Sequence, residues 1–179
     1  VVGVRGPLGV LQVPLKPLHA LRGGEAGRRL YRWFRRLELP HDLYVGPTDE
    51  GGRPHGERGV AHLYGGGTYE GGWRLGKMDG DGRLADATGS VYDGHWREGL
   101  RDGRGVLVSA AGDRYEGEWL ADKRHGRGAA AWIDGRAYDG EWREGLFHGN
   151  GTYTAADGVY VGAFVEGKRC GRGKMTYAD

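Results

Sequence analysis

The residues best suited to chemistry stand in rows along a repeating frame and not in one cluster. Asp79, Asp102, His125, His148 and Cys170 occupy one position of that frame, and all are of types that ligate metals. In an array of hairpins, equivalent positions of neighbouring repeats lie two strands apart, about 10 Å. Zinc takes its donors at about 2 Å. The row therefore reads as polar residues on a solvated face, and no metal or other cofactor is expected. A basic row, Arg101, Arg124 and Arg169 with Arg104, Arg127 and Arg172, has the charge to follow anions or phosphoinositides. Glu70, Asp93, Glu116 and Asp139 interleave with it, which favours cross-strand neutralisation and argues against nucleic acid as a partner. Nothing assembles for catalysis. There is no phosphate-cradling loop, nucleophile elbow or zinc signature, and Ser90 and Ser109 stand beside glycine turns, so the segment is not expected to be an enzyme.

The frame that carries these rows is set by aromatic residues. Tyr69, Tyr92, Tyr115 and Tyr138 are 23 residues apart, and Tyr160 follows after 22. With each Tyr as position 0, position 2 is Gly71, Gly94, Gly117, Gly140 and Gly162, and position 4 is Trp73, Trp96, Trp119, Trp142 and Phe164. Positions 11 and 13 are glycine pairs running from Gly80 and Gly82 to Gly171 and Gly173. A period of this length marks a repeat architecture. Spacing by two within Tyr-x-Gly-x-Trp is the period of a strand, placing Tyr, Gly and Trp on one face and polar residues on the other.

Two turns close each repeat. Leu75-Gly76, Glu98-Gly99, Ala121-Asp122, Glu144-Gly145 and Glu166-Gly167 supply residues that tolerate positive φ. Thr88-Gly89, Ala111-Gly112, Asp134-Gly135 and Asp157-Gly158 lead into the next Tyr. Pairing the strands about the first turn sets position 4 against 11 and position 2 against 13, so each Trp is expected to face a Gly across its own hairpin. The same register sets Glu118 beside Arg127 and Glu141 beside Asn150. Rings lying over positions without side chains would let a single sheet layer bury aromatic area.

The runs YDGHWREGLRDGRG, YEGEWLADKRHGRG and YDGEWREGLFHGNG resemble MORN repeats. The resemblance covers residues 69–173 tightly, with Asp122 for the turn glycine, Phe164 for Trp and a shortened fourth repeat as departures. A degenerate first copy is expected from Tyr44, with Gly46, Gly52, Gly56 and Gly59 out of spacing and Thr48 in the aromatic place, acting as a cap. The units are then a degenerate repeat at 44–68 and repeats at 69–91, 92–114, 115–137, 138–159 and 160–179, the last truncated. The resemblance implies a scaffold or adaptor of the cytoskeleton, cilium or membrane periphery. It also implies, as an alternative, a regulatory region of a larger enzyme such as a phosphatidylinositol phosphate kinase or a methyltransferase.

Composition agrees with this frame. Among 179 residues there are 38 glycines but only six prolines, and the 11% aromatic share is high for a chain that buries nothing. Cys170 is the only cysteine, so the array has no internal disulfide and suits a reducing cytoplasm. The chain begins without Met and stops within a repeat, and is read as an excised segment. Residues 1–43 hold eight Lys/Arg against three acids, leaving 18 of the 26 basic and 21 of the 24 acidic residues to the array. The run RRLYRWFRRLEL within them projects as an amphipathic helix, about 25–39, ended by Pro40. Arg28, Arg29, Arg32, Trp33, Phe34, Arg35 and Arg36 would meet an anionic membrane surface, while the competing reading is a cap on the sheet end.

The expected fold is thus all-β, an elongated single-layer antiparallel β-meander of hairpin repeats with an N-terminal amphipathic helix. The expected partner surface is an exposed groove of Tyr69, Trp73, Tyr92, Trp96, Tyr115, Trp119, Tyr138, Trp142, Tyr160 and Phe164, taking a protein helix or extended peptide. Homodimers through open array ends are a further expectation.

Overall fold

A computed structural model describes residues 2–6, 9–13, 41–63 and 65–178, with side chains from Tyr44 onward. All regular structure among them is β-strand. β1 (Val2–Gly6) and β2 (Gly9–Val13) pair as a small antiparallel hairpin that the sequence reading did not anticipate. The helix expected at about 25–39 lies outside the described residues.

Twelve further strands make one sheet: β3 (His41–Val45), β4 (Gly56–Leu63), β5 (Thr68–Arg74), β6 (Lys77–Ala85), β7 (Val91–Arg97), β8 (Leu100–Val108), β9 (Arg114–Leu120), β10 (Lys123–Ala131), β11 (Ala137–Arg143), β12 (Leu146–Ala155), β13 (Gly158–Val165) and β14 (Lys168–Tyr177). Each is antiparallel to its chain neighbours, and β3 and β14 form the two edges. At about 4.8 Å per strand the sheet runs roughly 50 Å across its strands. The single-layer meander is as the repeat frame requires.

The first turn of each repeat takes two residues with positive φ. Leu75, Glu98, Ala121, Glu144 and Glu166 lie between 47 and 52°, and Asp122, standing where the others have glycine, lies at 67°. This geometry matches the twist of the flanking strands. It fixes position 4 opposite position 9: Trp73 faces Met78, Trp96 faces Arg101, Trp119 faces Arg124 and Trp142 faces Phe147. The expectation that Trp faces the position-11 glycine within its own hairpin is therefore wrong. Positions 2 and 13 do pair, as in Gly94 with Gly105. The strand reconciles the two registers by bulging at positions 11 and 12, where the position-11 glycine takes a φ of 55–105° in every repeat.

Trp meets that glycine in the pairing between repeats instead, as in Gly80 with Trp96 and Gly103 with Trp119. Likewise Glu118 stands opposite His125, and Glu141 opposite His148. Their carboxylates still brace the bulge, accepting from the Arg127 N–H at 3.2 Å and the Asn150 N–H at 2.9 Å.

The ring laid over the side-chain-free positions is the tyrosine. A Cβ on Gly94 or Gly105 would overlap the Tyr92 phenol, and the same holds for Gly71 and Gly82 beneath Tyr69. Each hydroxyl then donates to the carbonyl three residues on: Tyr69 to Gly72 (3.0 Å), Tyr92 to His95 (3.1 Å), Tyr115 to Glu118 and Tyr138 to Glu141 (both 2.9 Å). The degenerate copy obeys the same rule. Tyr44 covers Gly46 and Gly59 and donates to Pro47 at 2.8 Å, so the unit is a true sixth hairpin despite its irregular spacing.

Two substitutions test this geometry. Gly105→Ala forces the Tyr92 ring off its seat and is expected to cost about 3 kcal/mol, an overpacking penalty at the upper end of its range, read by chemical denaturation. Ala121→Asn relieves a left-handed backbone held by a residue with a Cβ and is expected to stabilise by about 0.5–1 kcal/mol, raising the melting temperature by a few degrees.

Candidate partner-binding face

The rings of positions 0 and 4 form one continuous edge-to-face ladder. Tyr69 meets Trp73 at 5.2 Å and Trp96 of the next repeat at 5.4 Å, with planes 89° and 85° apart. The pattern runs from Tyr44, which meets Trp73 at 5.3 Å, to Tyr160 and Phe164 at 5.3 Å. Such contacts set the positive edge of one ring against the negative face of another. The indole N–H groups of Trp96 and Trp142 donate to the carbonyls of Gly82 and Gly128 at 3.0 and 2.8 Å, stitching each repeat to the one before. Phe164 has no such donor.

This packing corrects one expectation. The ten ring residues chosen as an exposed groove do share one face, but they are buried, from 0% exposed at Tyr69 to 7% at Tyr160. They shield one another so fully that they are the core of the array. What a partner could touch on this side is the pair of rows that flank the ladder. Position 9 supplies Met78, Arg101, Arg124, Phe147 and Arg169, and position 15 supplies Leu84, Leu107, Ala130, Tyr153 and Met175, each opposite the ring of position 4 or 0. The apolar members other than buried Ala130 are partly exposed and pack on the core. Hollows open between successive rungs, one walled by Met78, Leu84, Trp96, Arg101 and Leu107, the next by Leu107, Trp119, Arg124 and Trp132.

The arginines of this face lie on rings. Arg101 sits 4.3 Å above Trp119, Arg124 4.3 Å above Trp142, and Arg169 4.8 Å above Tyr160. They differ in countercharge. Asp122 accepts from the Arg101 backbone N–H at 3.0 Å and from Nε at 2.8 Å. The corresponding turn residue for Arg124 is Gly145, whose carbonyl accepts from Nη2 at 3.2 Å and brings no charge.

The basic row of the sequence therefore splits. Position 9 faces the rings, whereas Arg104 and Arg127 at position 12 stand on the reverse face, opposite Glu118 and Glu141. Cross-strand neutralisation occurs there with other partners, as in Arg58 with Glu70 at 2.6 Å, Arg74 with Asp79 at 2.9 Å and Arg97 with Asp102 at 3.5 Å. Asp79, Asp102, His125, His148 and Cys170 are separated along this reverse face, and among the described residues no group of three or more His, Cys, Asp or Glu comes together as metal donors. Ser90 and Ser109 serve the second turns, where the Asp113 N–H donates to the Ser109 hydroxyl at 3.0 Å. Arg28, Arg29, Arg32, Trp33, Phe34, Arg35 and Arg36 fall outside the described residues.

Comparison with known families agrees with the frame. The MORN repeat family matches residues 69–91, 92–114, 115–135, 138–159 and 160–179. The chain belongs to the MORN-repeat family, whose repeats are typically motifs of protein and membrane interaction. No curated protein matches the chain.

Burial makes the tyrosines reluctant acids. It pushes Tyr92 and Tyr138 from the usual phenol range up to about 12, and raises Tyr69 and Tyr115 as well. Because the folded value exceeds the unfolded one, stability is complete below the ordinary phenol pKa of about 10 and is lost as pH rises through the folded values. Alkaline titration followed at these four rings by residue-specific NMR is expected to show their phenolates forming only as the β circular dichroism signal is lost, above about pH 11. Phenolate formation at these four rings near pH 10 in the intact sheet would contradict the ladder.

Proposed function

We propose that this chain is a non-catalytic interaction scaffold, and that it engages a protein partner along the ring-bearing face of the array. The observation that supports this reading most directly is a pair of apolar rows laid over a core that is already closed. The ring face presents Met78, Leu84, Leu107, Phe147, Tyr153 and Met175 partly uncovered in two rows, while the reverse face carries ion pairs across its strands beside exposed Leu100, Val108, Leu120 and Leu146. Apolar side chains aligned over several repeats, on a core already complete beneath them, offer area to a partner without cost to the fold. Such a role fits a cytoplasmic adaptor at the cytoskeleton, a cilium or the membrane periphery, and a regulatory segment within a larger enzyme would use the same face.

A matched pair of variants tests the reading. Leu84→Glu with Leu107→Glu charges the ring face, and Val106→Glu with Val108→Glu charges the reverse face at the two positions that flank Leu107 in β8. Proteins recovered from cells with the tagged chain are expected to be lost with the first pair and kept with the second. Equal loss with both pairs, or loss with the reverse-face pair alone, would overturn the assignment.

A further inference from the structure

Building on the ring face as the interaction surface, we propose that its partner is an acidic amphipathic α-helix lying along the array axis, with carboxylates one repeat to either side of an apolar anchor that meets Phe147.

The geometry of the repeat selects a helix. Position 9 recurs every two strands, about 9.5 Å along the sheet. Seven residues of α-helix advance about 10.5 Å and return to nearly the same side, so a helix laid across the strands presents one equivalent residue to each repeat. A β-strand covers that distance in about three residues. Three is an odd step, which turns every second contact to the wrong side of the strand.

Charge selects an acidic one. The position-9 row reads Met78, Arg101, Arg124, Phe147, Arg169. Asp122 satisfies Arg101. Arg124 and Arg169 have no carboxylate within ion-pair distance among the described residues: Arg124 is held by the Gly145 carbonyl and the Trp142 ring, Arg169 by Tyr160, Tyr153 and the Met175 sulfur. Asp113 borders the hollow beside Arg124 and accepts from the Ile133 N–H at 3.1 Å. Arg124 is partly buried, and that burial lowers its pKa, so its charge is kept at a cost that an incoming carboxylate would offset. Between these two guanidinium groups Phe147 lies stacked on Tyr138, centroids 3.9 Å apart and planes at 15°, a partly exposed aromatic anchor midway. A guanidinium braced on a ring is pre-oriented to donate to a carboxylate with little further ordering.

The probe is a designed three-heptad peptide, helical in isolation, with leucine along one face and, at one flanking position, glutamate in the first and third heptads and leucine in the second, together with its twin carrying lysine for every glutamate. Binding to the full 179-residue chain is read by fluorescence anisotropy. The glutamate peptide is expected to bind about tenfold more tightly than the lysine peptide, the preference shrinking as salt approaches about 1 M. Arg169→Glu, at an exposed side chain, is expected to weaken the glutamate peptide roughly fivefold and to strengthen the lysine peptide. Arg124→Glu with Arg169→Glu reverses the order of the two, with an unchanged circular dichroism spectrum showing that the sheet is intact. Equal affinity for both peptides would overturn the acidic-helix proposal while leaving the ring face as an interaction surface. Binding of neither peptide would overturn the proposal, and the variant pairs of the preceding section then decide the face separately. Sedimentation with phosphatidylserine vesicles that Arg169→Glu abolishes would assign the arginines to a bilayer and overturn the helix.

Discussion

The array depends on a phenol ring seated over two glycines. A single-layer sheet has no second layer to bury against, so its apolar side must be covered by its own side chains. Tyr at position 0 achieves this only because positions 2 and 13 lack a Cβ, which lets the ring lie down against the backbone and bring its hydroxyl to a carbonyl three residues on. Once flat, it offers an edge and a face to the Trp of its own repeat and of the next. Removing the glycines lifts the ring and removing the ring uncovers the indoles. The pattern is therefore coupled, and a repeat with half of it would bury little.

Tyr44 shows how far the coupling tolerates change. Its repeat has Thr48 at the aromatic position and a longer excursion before Gly59, yet the phenol still covers Gly46 and Gly59 and still meets Trp73 edge-on. The Tyr and Gly positions are kept while the Trp position is given up. That is physically sensible at the first hairpin, since an indole at position 4 packs against the preceding repeat, and the sheet ends at β3. Phe164 makes the converse point from the other side of the array: the ring suffices for packing against Tyr138, and the indole hydrogen bond to the preceding repeat is an addition.

The strands, the turns and the face shared by Tyr, Gly and Trp were legible from spacing alone, because a period of two and a two-residue turn each admit one backbone solution. The register was legible only in part. A turn at positions 6 and 7 demands 4 opposite 9, and the paired glycines demand 2 opposite 13; both clues were present, and their conflict by two residues is the signature of a bulge that a uniform ladder hides. The basic row divides by parity in either register: Arg124 and Arg127 are three residues apart, an odd step, and lie on opposite faces. Burial was also beyond reach, because spacing gives the face of a ring but not the tilt with which it meets its neighbours.

Separating framework from surface changes what the sequence of each repeat means. Positions 0, 2, 4 and 13 hardly vary across the five repeats, as packing requires of them, and positions 11 and 7 follow from φ. Position 9 is under none of these demands: it faces the ladder from outside, and the sheet accepts Met78, Arg101, Arg124, Phe147 or Arg169 there alike. Variation at a position the fold leaves free, beside ladder positions that are so repetitive, distinguishes one repeat from the next for anything that lies along them. Asp122 belongs to the same logic. It takes a left-handed turn residue's place at some cost in backbone freedom, and its carboxylate silences Arg101 while the glycine of the following repeat leaves Arg124 charged. A partner moving along the array thus meets an apolar, a neutralised, a cationic, an aromatic and a cationic rung in fixed order, and that order gives an otherwise periodic surface a direction and a register.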